Sequence, residues 1–146
     1  MMTQDFRKLC ETGLVSGGVC PTLIAEAQET LGVVFPAAYR EFLEEFGAVM
    51  AKGFQIYGII ERSKNDPPMW QQVVDECRKL REWQQVGTER RHFIPISDDG
   101  MGVYFFLDTD PSGNGEVHAV GPGVDQIISK NLDDFAIGYA LGRLQF

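Results

Sequence analysis

At Phe93 the spacing of the hydrophobic residues changes, and that change limits the folds open to the chain. Before it, apolar residues mostly recur at helical intervals. After it, they come in short runs bounded by Gly, Pro, Asn and Asp. A period of 3.6 builds a helix with one apolar face, and a period of two builds a strand with one apolar face. Helices in front and a run of strands behind predict an α+β fold, with a mainly antiparallel mixed sheet and helices packed against it. The chain has 146 residues, enough for one core and too few for two, so residues 1–146 read as a single domain.

In the front part, residues 3–15 suit a short helix through Phe6, Leu9 and Cys10, broken by Ser16-Gly17-Gly18. Pro21 opens a second helix with Ile24, Ala27 and Leu31 on one face and Gly32 at its end. Pro36 opens a third, in which Tyr39, Phe42, Leu43 and Phe46 follow the i, i+3, i+4, i+7 pattern and Gly47 stops the helix. Gly53–Ile59 reads as a strand. Asp66-Pro67-Pro68 marks the start of a helix over 67–84, with Trp70, Val73, Val74, Cys77 and Leu80 as its stripe.

Behind Phe93, Phe93–Ser97 is a short strand that Pro95 places at an edge or a bulge. Val103–Asp108 is apolar on both faces and suits a central strand. Glu116–Val120 alternates, with Val117 and Ala119 inward, and Gln126–Ile128 is a further short strand. Asn131 caps a last helix over 132–144. The expected core holds Tyr39, Phe42, Leu43, Phe46, Phe105, Leu107 and Phe135.

Charge narrows the function classes. There are 21 Asp and Glu against 13 Lys and Arg, a formal net charge of −8. Such a surface repels nucleic acid and anionic membranes and attracts basic partners. No apolar run approaches the ~20 residues needed to span a bilayer. Cys10, Cys20 and Cys77 are odd in number and form no C-x-x-C, which suits a reducing compartment. With no basic, then apolar, start, a cytoplasmic location is expected.

No catalytic set stands out. There is no G-x-S-x-G elbow, phosphate loop or H-E-x-x-H. Asp108-Thr109-Asp110-Pro111-Ser112-Gly113 begins like a calcium loop but fails at Ala119, where a bidentate Glu is required. It reads instead as a hairpin turn. His92 and His118 have no metal-ligand spacing around them. The expectation is a protein that is not an enzyme and needs no cofactor and no metal. A small hydrolase would require Asp98, Asp99 and His118 to meet in space.

Several of these pieces occur in a telling order. Leu31-Gly32, Phe35-Pro36-x-x-Tyr39-x-x-Phe42-Leu43, Gly47 and Gly53-Phe54-x-Ile56-Tyr57-Gly58 are followed by Phe93-Ile94-Pro95-Ile96. Asp98-Asp99-Gly100-x-Gly102, Tyr104-x-x-Leu107-Asp108 and a terminal helix with Asp134-Phe135 complete the set. Over roughly residues 22–146 this order resembles the SUKH superfamily. The chain departs from that family's pattern at Phe46, where Asn is frequent, and at Val103, where Asp or Asn is common.

The resemblance implies a protein-binding role. Bacterial members are mostly immunity proteins that neutralise polymorphic toxins, often nucleases. Eukaryotic members include a yeast regulator of cell-wall synthesis and an adaptor-type domain. An immunity protein is the reading taken here, with a cellular scaffold or adaptor as the alternative. A nuclease cleft is basic, so an acidic inhibitor can be steered to it and occlude it. The candidate partner-binding residues are the acids at turn tips: Asp98, Asp99, Asp108, Asp110 and Glu116. They are expected in three loops at related edges of the sheet. The competing reading is that these acids only keep hairpin tips soluble.

Overall fold

The computed structural model describes residues 2–51, 53–61 and 71–146. Helix α1 (Gln4–Thr12) starts where Thr3 Oγ1 accepts the Phe6 N–H at 3.2 Å, and it buries Phe6, Leu9 and Cys10. Helix α2 (Pro21–Leu31) stops at Gly32, which is left-handed at φ 71°. Helix α3 (Ala37–Glu45) turns Tyr39, Phe42 and Leu43 into the interior, as the spacing predicts. Helix α4 is Val73–Glu82 and helix α5 is Leu132–Ala140. The Asn131 cap holds, since its side-chain oxygen accepts the Asp134 N–H at 2.8 Å.

The strands form two antiparallel sheets rather than the single sheet expected. The first contains β1 (Leu14–Val15), β2 (Val49–Ala51) and β3 (Phe54–Ile56), in that order. The second contains β4 (Phe93–Asp98), β5 (Tyr104–Asp108), β6 (Val117–Gly121) and β7 (Val124–Ser129), in that order. Hydrogen bonds link β3 and the residue after it to β4 without merging the sheets. Tyr57 N–H donates to Ile96 O at 2.7 Å, and Ser97 Oγ donates to Gln55 O at 2.6 Å. Pro95 brings no N–H to β4, whose register against β5 shifts between Pro95 and Ser97. Both readings of that proline hold: it lies in a strand that ends the sheet order, and beside a bulge.

Other boundaries move for physical reasons. The first helix ends at Thr12, because Leu14 and Val15 pair with Met50 and Val49 as β1. The strand expected over Gly53–Ile59 covers only Phe54–Ile56, and Tyr57 turns its N–H to β4. The helix expected from 67 begins at Val73, because Gln72 is extended and bridges Gly58 in parallel. Asp66, Pro67 and Trp70 lie outside the described residues. The last helix stops at Ala140 instead of 144, and Gly142 follows in the left-handed region at φ 69°. β7 is longer than expected at both ends.

One buried cluster runs from α1, α2 and α3 through β2 and β3 to β5, β6 and α5, including Phe6, Tyr39, Phe42, Ile56, Phe105 and Phe135. A smaller one lies on the other face of the four-stranded sheet, where Leu80 of α4 covers Phe93, Phe106 and Val120. β5 is therefore buried on both faces, as its sequence predicts. Phe46 is only partly buried and packs at the margin of the core.

Candidate functional site

The turn between β4 and β5 is shaped by its own acids. Asp99 Oδ1 accepts the N–H groups of Met101 at 2.7 Å and Val103 at 3.0 Å. Asp98 Oδ2 accepts the Gly100 N–H at 3.0 Å. Gly100 and Gly102 have φ of 76° and 98°, which lets the chain reverse there. The other oxygen of Asp98 accepts a short hydrogen bond from the Tyr57 hydroxyl. The Tyr139 hydroxyl on α5 donates to the Asp98 carbonyl at 3.3 Å. Asp98 and Asp99 are thus half-buried and held, not free at a tip.

These contacts form one side of a cleft of about 460 Å³. Its apolar wall is the Phe54–Tyr139 stack, with centroids 5.1 Å apart and planes at 23°. Phe105 meets Tyr139 edge-on at 5.4 Å. Met50 and Ala51 of β2, Gln55 of β3, and the turn glycines Gly53 and Gly100 complete the lining. Burial raises the Tyr139 phenol above its ordinary pKa, and Asp98 and Asp99 raise it further. Burial and the hydrogen bond to Asp98 raise Tyr57 in the same way. Both phenols stay protonated donors. Two carboxyl groups beside an aromatic wall have the chemistry to pair with a cationic side chain and hold it over a ring.

The remaining candidate acids are elsewhere. Asp98 pairs with Tyr104 at one end of β5, and Asp108 pairs with Phe93 at the other. The two groups stand ~13 Å apart along the strand. Asp108, Asp110 and Glu116 share a single hairpin loop, so the candidates occupy two turns at opposite ends of the sheet, not three loops at related edges. In this loop Asp108 Oδ1 accepts the Asp110 N–H at 3.0 Å, and Asp110 Oδ1 accepts the Ser112 N–H at 3.0 Å. That is turn chemistry, as the loop composition predicts.

His118 does not meet Asp98 and Asp99. It lies on β6 opposite Phe106, two residues along from the Tyr104–Val120 pair that is level with Asp98. The hydrolase grouping is not assembled. His118 instead joins Asp108 and Glu116, with one potential ligand atom of each within 4.8 Å of the others. Burial lowers the imidazole pKa, against the pull of Asp108 and Glu116. Linear spacing hid this trio. Only the hairpin register puts it on one face.

Residues 21–135 match the family model SUKH_6, described as SMI1-KNR4 cell-wall. The chain belongs to the SUKH superfamily. Among curated proteins, none matches it at a significant level. The SUKH match runs from the start of α2 into α5 and includes both acidic turns. Tyr139, which forms half of the cleft's aromatic wall, lies just beyond it. At the two positions where the chain departs from the family pattern, Phe46 packs against Phe42 at 6.4 Å and Val103 is buried. Among the described residues, no helix is long and apolar enough to cross a membrane.

Proposed function

We propose that this SUKH protein is a non-catalytic, cytoplasmic immunity protein. Its partner is a toxin domain with a basic active face, a nuclease being the best chemical fit. The observation that carries the reading is the cleft, in which Asp98 and Asp99 stand beside the Phe54–Tyr139 stack. A lysine or arginine from the partner would enter it, and the surrounding acidic surface would cover the partner's active face. The net charge of −8 supports the same partner chemistry.

The test is a search for a toxin gene beside this one, followed by co-expression of the two. Growth rescue is expected, and loss of rescue with Asp98→Asn/Asp99→Asn, which leaves one acceptor oxygen on each residue for the turn's N–H groups and puts an amide NH2 opposite the Tyr57 hydroxyl, while removing charge. No rescue by the natural chain would overturn the immunity role. The family description, SMI1-KNR4 cell-wall, favours a second reading as a regulatory scaffold in cell-wall synthesis. A gene with no toxin neighbour and a cell-wall defect on deletion would support that reading instead.

A further inference from the structure

At the end of β5 away from the cleft, strand pairing gathers three side chains with metal-ligand chemistry. Asp108 ends β5, Glu116 immediately precedes β6, and His118 is the second residue of β6. The Asp108 N–H donates to Glu116 O at 2.9 Å, which sets the two acids opposite each other across the hairpin. His118 stands opposite Phe106. Side chains alternate along a strand, so Glu116 and His118 project from the same face of the sheet as Asp108 and Phe106. Their ligand atoms lie within 4.8 Å of one another, and all three side chains are partly exposed. A register shift between Val117 and His118 lies beside them, as bulges often lie beside sites.

Two features of this trio are costly in isolation. Two carboxyl groups directly opposite on paired strands repel. The Nε2 atom of His118 is buried with no hydrogen-bond partner, the one side-chain atom so placed among the described residues. A native buried polar atom is normally satisfied by protein, water or an ion. Arg90, a cation near enough to attract Asp108, has its guanidinium paired with Asp125 and lies over Phe93, 4.9 Å from the ring centroid. The same Phe93 ring packs against His118 at 4.6 Å and fixes one side of the imidazole.

We propose that Asp108, Glu116 and His118 bind one divalent transition-metal ion, with zinc the best fit. Zinc takes imidazole nitrogen and carboxylate oxygen at about 2.0–2.2 Å in tetrahedral geometry. The three donors, now within 4.8 Å of one another, would have to draw in to that spacing, with water in the fourth position. An imidazole in the set selects zinc over calcium or magnesium, which prefer oxygen alone. The site is therefore not the calcium loop that the sequence imitates. It uses residues 108, 116 and 118, while the Asp110 carboxylate is occupied by Ser112. A bound ion would tie the two ends of the 108–116 loop together.

The test is calorimetric titration of zinc chloride into the full chain after chelation and dialysis. One zinc per chain with micromolar or tighter affinity is expected. Losing even an outer-shell partner typically costs 10–100-fold, so Glu116→Gln and His118→Ala should each weaken binding by about tenfold or more. Cys20→Ser and His92→Ala should leave it unchanged. Glu116→Gln preserves shape, so it decides the matter if His118→Ala fails to fold. Cobalt in place of zinc should show ligand-field bands and no thiolate charge-transfer band. No saturable binding, an affinity left unchanged by Glu116→Gln, or a thiolate band would each overturn the site.

Discussion

Phe42 shows what one side chain does for the helical half of the molecule. Its ring stacks on Phe6 with centroids 5.8 Å apart and planes 7° apart, and it lies 6.0 Å from Tyr39. It is fully buried, so truncation removes contacts on several elements at once. Phe42→Ala should cost ~3–5 kcal/mol, read from urea unfolding. A loss below about 0.5 kcal/mol, the scale of neutral surface changes, would mean that the helix face is wrongly placed. The cysteines offer a second test at this scale. Burial pushes the Cys10 thiol up to about 12, and burial also raises Cys77. Cys20 is exposed. The thiolate is the reactive form, so a thiol reagent at mild alkaline pH should label Cys20 alone in the native protein. Unfolding should release the other two. Because the folded pKa of Cys10 lies above its ordinary 9.0, its contribution to stability is complete below 9.0 and is lost as pH rises toward about 12. Native labelling of Cys10 at the rate of Cys20 would contradict this burial.

Between elements, backbone contacts decide more than side-chain pattern. A Cβ on Gly58 would lie 1.6 Å from the Gly47 carbonyl oxygen, so the chain after β3 lies against the end of α3. Gly58 also bridges Gln72 and accepts the Val73 N–H at 2.9 Å, which sets the start of α4. Gly58→Ala should therefore destabilise by about 3 kcal/mol, the upper part of the usual overpacking range, in chemical denaturation. A neutral result would show that the two segments separate freely. Asn131→Ala, which removes only the cap of α5, should cost about 1 kcal/mol. The contrast marks what the sequence could reveal. The stripe Tyr39, Phe42, Leu43 was legible because a buried helix face repeats every 3.6 residues. β5 was legible because both its faces are covered. β1 and β2 were not, since two or three residues cannot display a period. The split into two sheets was equally hidden, because backbone approach at Gly47 and Gly58 leaves no side-chain pattern. At the site, Asp98 and Asp99 were legible as a turn, but their aromatic wall comes from Phe54 and Tyr139, distant in sequence and joined only by folding.

For the molecule as a whole, charge and shape set how a partner would arrive and how it would stay. The described acids include two groups at opposite ends of β5, so their field covers an extended surface, while the cleft holding Asp98 and Asp99 is a single local feature. Field and cleft should therefore affect different rate constants. Long-range attraction between an acidic protein and a basic partner speeds encounter, raising association above the ~10⁵–10⁶ M⁻¹s⁻¹ of uncharged pairs at low salt. Salt shortens the Debye length to ~10 Å at 0.1 M and removes that gain. A cationic side chain seated against the Phe54–Tyr139 stack is partly desolvated and less screened, so it should act mainly on dissociation. With a basic toxin domain as the proposed partner, raising salt should lower the association rate about tenfold or more and change dissociation far less. Tyr139→Leu, which keeps apolar bulk but removes the ring and the hydroxyl bonded to the Asp98 carbonyl, should do the reverse. Stopped-flow measurements across a salt series on both proteins separate the two effects. An association rate indifferent to salt would remove electrostatic steering from the mechanism while leaving the binding role standing. A Tyr139→Leu protein that dissociates at the natural rate would remove the cleft from the interface.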